Sequence, residues 1–441
     1  MLENQFFENA ICGVGPAGMG PIVSAYQNDL LDKVLNKGIV LIDRKKILGV
    51  GSFGEYDITA NSLGKVFLEC LEKIKKDSGF FNLINHEYVK ELKLYNEKAP
   101  NLSLVAKYLG LLSEYLIDQI KIHQKCSIFR SANILDIQQK ETGLYAINME
   151  VNGGGQSHTR KIYARNIILN LGGQQNPNNY LYRSLWNGFN LSSYRDRVIP
   201  SGALLRLSQS KLNTILSKNP SKIVVVGGSH SAFSVTMKLA EQHQKASKIK
   251  REIFILHRND IRLFFNNKQD AEEAHYLFDV EKDICKLSGR VNRFSGLRYN
   301  AFDFASKLLK TGQMKEENCE INLYKISINP SLQQSKLLKN LFEMANLIIP
   351  CFGYQANLVP IYDNNKHLIP IRQELDGLYG DDKGRVYTKD NDLIPNIYSY
   401  GLGSGLKRSE KIGGELSFQG RLDGVWLYQN DIGRIILEQM L

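Results

Sequence analysis

The chain has 441 residues, 43% of them apolar and 23% charged, and 56 Lys+Arg against 45 Asp+Glu leave a net charge of +11. That balance excludes intrinsic disorder, a collagen-like repeat and a disulfide-stapled miniature fold, and at roughly 150 residues per domain the length suits two or three domains. The basic residues are dispersed, which predicts a solvated Lys-rich surface and no nucleic-acid partner.

The start, MLENQFFENAICGVG, has two acidic residues and no basic stretch, so no secretory leader is expected. No apolar run approaches the ~18 residues of a membrane span. The six cysteines are scattered, with no CxxC and no Cys/His cluster. This pattern predicts no metal site and no redox dithiol, and it fits a reducing compartment, so the expected location is the cytoplasm.

Residues 9–13 read as a short strand feeding CGVGPAGMG. Gly13, Gly15 and Gly18 form a G-x-G-x-x-G fingerprint around Pro16 and Ala17. In such a turn the first glycine permits the tight bend, the second admits a pyrophosphate, and the third lets the helix pack on the strand. The helix N-terminus then presents its free N–H groups to the phosphates. A second strand, GIVLIDR, ends in Asp43 and Arg44. Asp43 lies 30 residues after Gly13, where a carboxylate can accept both ribose hydroxyls.

GVGSFGEYD (49–57), which contains Ser52, is expected to let backbone approach the ligand. Helical spacing follows in VFLECLEKIKK and in LSLVAKYLGLLSEYLIDQIKIHQ. Residues 126–169 then read as strands, a β-meander returning to the first sheet and ending at NIILNLGG, with Gly172 at the crossing.

A second unit begins at Lys222. KIVVV is an apolar strand of the buried parallel kind. It runs into Gly227, Gly228, Ser229, His230, Ser231 and Ala232, and then into a helix. Ser229 stands where the usual pattern has its second glycine. The next strand ends in His257 and Arg258, and Arg258 lies 31 residues past Gly227, repeating the spacing of the first site. Here an arginine replaces the acid, which favours a ribose carrying a 2′-phosphate, and so NADPH over NADH. Arg262 is a second candidate contact. NLIIPCFGY brings a strand to Gly353 and Tyr354. NIYSYGLGSG brings another to Gly401, Gly403 and Gly405, expected to cover the far end of the first ligand. The last stretch, GRLDGVWLYQNDIGRIILEQM, reads as mainly helical.

The series CGVGPAG…LIDR, VVVGGSHSA…LHR and IIPCFGY resembles the flavin-dependent monooxygenases with two dinucleotide-binding domains, among them the flavin-containing monooxygenases and the ornithine and lysine N-hydroxylases. His230-Ser231-Ala232 resembles the family's Gln-Ser-Ala, and Gly353-Tyr354 the end of its Ala-Thr-Gly-Tyr. ITANSLGKVFLECL is similar to a family region that would place Asn61 at the flavin edge. The chain departs from the family in having no histidine in 195–206 and Gly403-Ser404 in place of a late Gly-Asp.

The resemblance implies an α/β fold of two Rossmann-like domains with a β-meander, the NADPH domain inserted in the FAD domain. The expected parts are 1–175 for FAD, 176–345 for NADPH and 346–441 for FAD again. FAD would meet Gly13, Gly15, Pro16, Ala17, Gly18, Asp43, Arg44, Ser52, Gly172, Gly353, Tyr354 and Gly403. NADPH would meet Gly227, Gly228, Ser229, His230, Ser231 and Arg258. The implied reaction uses molecular oxygen and a peroxyflavin to oxygenate a soft nucleophile, an amine nitrogen or a sulfur, with Asn61 as the catalytic residue. Two alternatives remain open at this level: an NAD(P)H-dependent flavoprotein reductase without a dithiol, and a non-catalytic binding module on the same fold.

Overall fold

The computed structural model describes residues 5–72, 79–153, 155–217, 221–246, 250–316, 318–374 and 377–441. The expected helix over 66–76 is seen as Gly64–Glu72, and its remainder, like Gly154 of the meander turn, lies outside the described residues.

Two parallel sheets organise the chain. In the first, the Phe6–Cys12 strand pairs with Ile39–Ile42 on one side and with the second half of Gln156–Leu169 on the other. Ser127–Phe129 adds beyond Ile39–Ile42, and Leu393–Ser399 adds beyond Gln156–Leu169, both parallel. The expected meander is present. Ala132–Gln139, Tyr145–Gly153 and Gln156–Leu169 run antiparallel, and the last of these is long enough to serve both meander and parallel sheet. Its C-terminal end, residues 167–169, is apolar and buried, as a central strand covered on both faces must be.

The second sheet has the order Gln313–Glu316, Cys319–Lys325, Arg251–His257, Lys222–Val226, Leu347–Pro350, parallel except for the first strand. Leu347–Pro350 pairs with Lys222–Val226, so this sheet extends past the boundary expected at 345. Two chain crossings join the sheets, and they touch: Gly173–Gln174 pairs with Gln355–Ala356. Among the described residues no helix is long and apolar enough to cross a membrane.

The C-terminal segment returns to the first helix, Pro16–Gln27. Gly20 and Gly433 both face the Tyr428 carbonyl, where an added Cβ would lie 2.2 and 2.1 Å from its oxygen. Pro21 sits inside the first helix and has no N–H, so the Ala17 carbonyl loses its normal i→i−4 donor. The Tyr400 hydroxyl supplies it, at 2.7 Å, from a side chain 1% exposed. One proline thus creates the acceptor that ties the late strand to the first site. Tyr400→Phe should cost about 1–2 kcal/mol by leaving that carbonyl unpaired. Pro21→Ala restores a backbone donor, so chemical denaturation of the double variant should show a smaller Tyr400→Phe penalty.

Candidate dinucleotide and active site

The first site begins with the backbone. Gly13 has φ +90°, and a Cβ there would lie 2.2 Å from the Asn170 carbonyl oxygen. At Gly18 a Cβ would fall 2.1 Å from the Gly13 oxygen, so the third glycine lets the helix seat on the turn. Pro16 occupies the first helical turn, where its missing N–H costs nothing. Asp43 ends its strand and holds this loop. Its Oδ2 accepts from the Val14 N–H at 2.6 Å and its Oδ1 from the Lys45 N–H at 2.7 Å. Burial raises the Asp43 pKa, and the Lys45 and Val14 N–H groups oppose that rise.

A cavity of about 460 Å³ opens over this turn. Gly13, Gly15, Pro16, Ala17, Asp43, Arg44, Ser52 and Gly172 all line it, so the structure brings eight of the expected residues to one surface. Asn357 clamps the Gly172 turn: its N–H donates to the Gly172 carbonyl at 2.8 Å and its side chain to the Leu171 carbonyl at 3.0 Å.

Other expected residues stand elsewhere. Gly18 packs beneath the turn. Gly403 lies off the cavity wall, its missing Cβ 2.5 Å from the Ala356 nitrogen, while Gly401 and Leu402 form the wall. Gly353 adopts φ +78° in the crossing segment ahead of Gln355–Ala356, and its carbonyl accepts from Gln175 at 3.3 Å. Asn61 is exposed in the loop before Gly64–Glu72 and lines neither cavity described here. The same loop reaches the second sheet's domain through Thr59, which accepts from Asn300 at 3.5 Å.

Sequence reasoning did not single out Tyr56, Arg206, Asp423 and Tyr428, all on the cavity wall. Arg206 donates to the Tyr56 hydroxyl at 2.9 Å and lies over its ring at 4.8 Å. The Tyr56 and Tyr354 hydroxyls are 2.9 Å apart, so Tyr354 reaches the cavity through Tyr56. Gly202 makes room for this chain, since a Cβ there would meet the Tyr354 hydroxyl at 2.5 Å. At the opposite wall Tyr428 donates to Asp423 at 2.6 Å. Asp423 is deep in the molecule yet open to the cavity, and burial raises its pKa against the pull of Tyr428 and the Gly424 N–H. The one available signal was Asp-Gly ahead of an apolar run, a helix-start pattern with no ligand meaning of its own.

The second site repeats the construction. Gly227 has φ +147°, with Cys351 2.8 Å from where its Cβ would be, and Gly228 is crowded by the His257 Cβ at 2.9 Å. Ser229 completes the turn, and His230 and Ser231 open the His230–Ala246 helix. Ala232 is fully buried there, which suits the close-packing role of a third glycine. A second, open cavity of about 510 Å³ lies beyond the strand ends and is lined by Arg258. Arg262 is not on it: it forms an ion pair with Asp283 at 3.4 Å and hydrogen-bonds Ser417.

No family model matches the chain. Over 99% of its length it is 28% identical to the CMP-5′-(3-aminopropyl)phosphonate hydroxylase of Streptomyces rubellomurinus, covering 97% of that protein. The ornithine hydroxylase of Pseudomonas aeruginosa superposes with a TM-score of 0.52 at 12% identity, over 99% of this chain and 100% of that one. The L-lysine 6-monooxygenase of Pseudomonas syringae does so with a TM-score of 0.51 at 14% identity and the same coverage. The chain has the two-dinucleotide-domain fold of the N-hydroxylating monooxygenases. Within that fold the sites described above are its two glycine turns, one per sheet.

His230 makes the second turn sensitive to acid. Its Nε2 is buried without a hydrogen-bond partner, and burial, then the nearby Arg298 charge, push its pKa down to about 4 from 6.5. Between these values the unfolded chain binds a proton that the folded chain does not. The stability tied to this group is therefore complete above pH 6.5 and declines as pH falls toward 4. His230→Gln should flatten that acid limb by about 1–3 kcal/mol in denaturant titrations at the two pH values.

Proposed function

We propose that the chain is an FAD- and NADPH-dependent monooxygenase that hydroxylates the nitrogen of a primary amine carrying a phosphonate or nucleotide phosphate. The observation that carries the reading is the pairing of two glycine turns of the dinucleotide-binding kind in one chain, with the first cavity reaching Tyr56 and Arg206, beside the Tyr354 hydroxyl. FAD, held over Gly13–Gly18, would pass two electrons from NADPH to molecular oxygen, so that one oxygen atom enters the amine and the other leaves as water. The protein's own part is binding, orientation and exclusion of water. Asp43 fixes the phosphate-facing loop, and both its oxygens keep lone pairs for ribose hydroxyls. Arg206, ion-paired to Glu55 at 3.4 Å, brings a guanidinium to the cavity wall.

The similarity to that hydroxylase over 99% of the chain supports this substrate class, and the net charge of +11 suits an anionic substrate. A dithiol reductase is disfavoured by the cysteines beside the two turns. Cys12 and Cys351 are buried and free, and burial pushes both pKa values up to about 12, so neither is a thiolate.

Incubation with NADPH, oxygen and (3-aminopropyl)phosphonate or its CMP conjugate should give a hydroxylamine one oxygen heavier by mass spectrometry, with ornithine and lysine poor substrates. NADPH consumption that is indifferent to the amine and yields no hydroxylamine would refute the reading. Asp43→Asn puts an amide N–H against the Val14 or Lys45 N–H. It should lower flavin affinity at least roughly tenfold, as read by flavin retained after gel filtration.

A further inference from the structure

The second cavity carries a cation that the spacing of the turn does not announce. Arg258 and Asn259 line one part of it, and the end of the neighbouring strand contributes Lys325, with Ser327 and Asn329 beyond. In the sheet register Lys325 stands opposite His257, so it leaves the sheet beside Arg258. Arg183, stacked on Phe352 at 5.2 Å, lies near enough for the Arg258 charge to lower its pKa, after burial. Arg262 is committed to Asp283 and Ser417 and is not available to this cavity.

One group works against a phosphate here. Asp260 follows Arg258 by two residues and is 80% exposed. A carboxylate at the end of this strand is the group that selects an unphosphorylated ribose, and it repels a 2′-phosphate. In this protein Asp260 is ion-paired to Lys325, which is itself 59% exposed.

We propose that Lys325 is a specificity-determining residue of this site: it masks the Asp260 charge and donates to the 2′-phosphate of the dinucleotide. The inference rests on reading the second turn as an NADPH site. A lysine ammonium has three donors, so one can serve Asp260 while the others face phosphate oxygens. It acts as a compact charge, complementing the planar fork of Arg258. Preference for NADPH thus depends on a residue 67 positions beyond Arg258 in the chain, brought beside it by parallel pairing of two strands.

The test is calorimetric binding of 2′,5′-ADP and of 5′-AMP, which lacks the 2′-phosphate, to the full chain. It compares the wild type, Lys325→Ala, Asp260→Ala and the double variant. Both side chains are exposed, so the substitutions spare the core. Lys325→Ala should weaken 2′,5′-ADP roughly tenfold and leave 5′-AMP unchanged. Asp260→Ala should bind 2′,5′-ADP at least as well as the wild type. The double variant should recover part of the loss, because the exposed carboxylate is gone. Unchanged 2′,5′-ADP affinity in Lys325→Ala, an equal loss for 5′-AMP, or a double variant no better than Lys325→Ala would overturn the assignment while leaving Arg258 as the phosphate contact. A wild-type protein that binds 5′-AMP as tightly as 2′,5′-ADP would overturn the NADPH reading itself.

Discussion

The first site depends on one carboxylate placed against one glycine turn. Asp43 closes the Ile39–Ile42 strand and receives the Val14 N–H from the middle of the fingerprint. That bond fixes the turn against the sheet, and Gly13 can lie within van der Waals range of the Asn170 carbonyl only because it has no side chain. With the turn fixed, the first helix starts in one direction, and the cavity takes its floor from Gly13, Gly15 and Ala17. The C-terminal segment then seals the other side through Tyr400, which bonds the carbonyl that Pro21 leaves free. Glycine, proline and carboxylate here act as one device, each making the next contact possible.

The two nucleotide sites use the same backbone solution with opposite charge. In both, a strand runs through a glycine turn into a helix, the arrangement that presents N–H groups to a phosphate in dinucleotide folds, and a charged residue ends the next strand. At the first site that residue is Asp43. At the second it is Arg258, and the carboxylate that follows it, Asp260, is held in an ion pair with Lys325. The crossing segments lie between them, where Tyr354 from one crossing meets Tyr56 and Arg206 from the first site's surroundings.

Most of the architecture was legible in the residues because local rules govern it. Glycine spacing followed by a helix, apolar runs ending in charge, and the meander's alternating strands each depend on neighbours within about 30 positions. The eight expected residues found on the first cavity wall belong to such local signals or to strand-to-glycine ends. Tyr56, Arg206, Asp423 and Tyr428 were not legible, because each reaches the cavity from a loop or helix end whose own pattern describes only a turn or a cap. Gly403 and Gly401 show the limit at single-residue scale. Both have positive φ and stand two apart, yet one packs under Gln355–Ala356 and the other faces Ala17.

The sequence by itself determined that there are two glycine turns, each between a strand and a helix, and that an acid ends the next strand at one and an arginine at the other. These follow from backbone sterics and charge acting over short distances along the chain. Only the tertiary structure decided which distant side chains complete each site: Asn357 on the Gly172 turn, Asp423 and Tyr428 over the first helix, Lys325 rather than Arg262 beside Arg258, and an exposed loop position for Asn61. The physical reason is that strand pairing and helix docking set neighbours across hundreds of residues, and the energy of those contacts lies in burial and hydrogen bonding that no local pattern encodes.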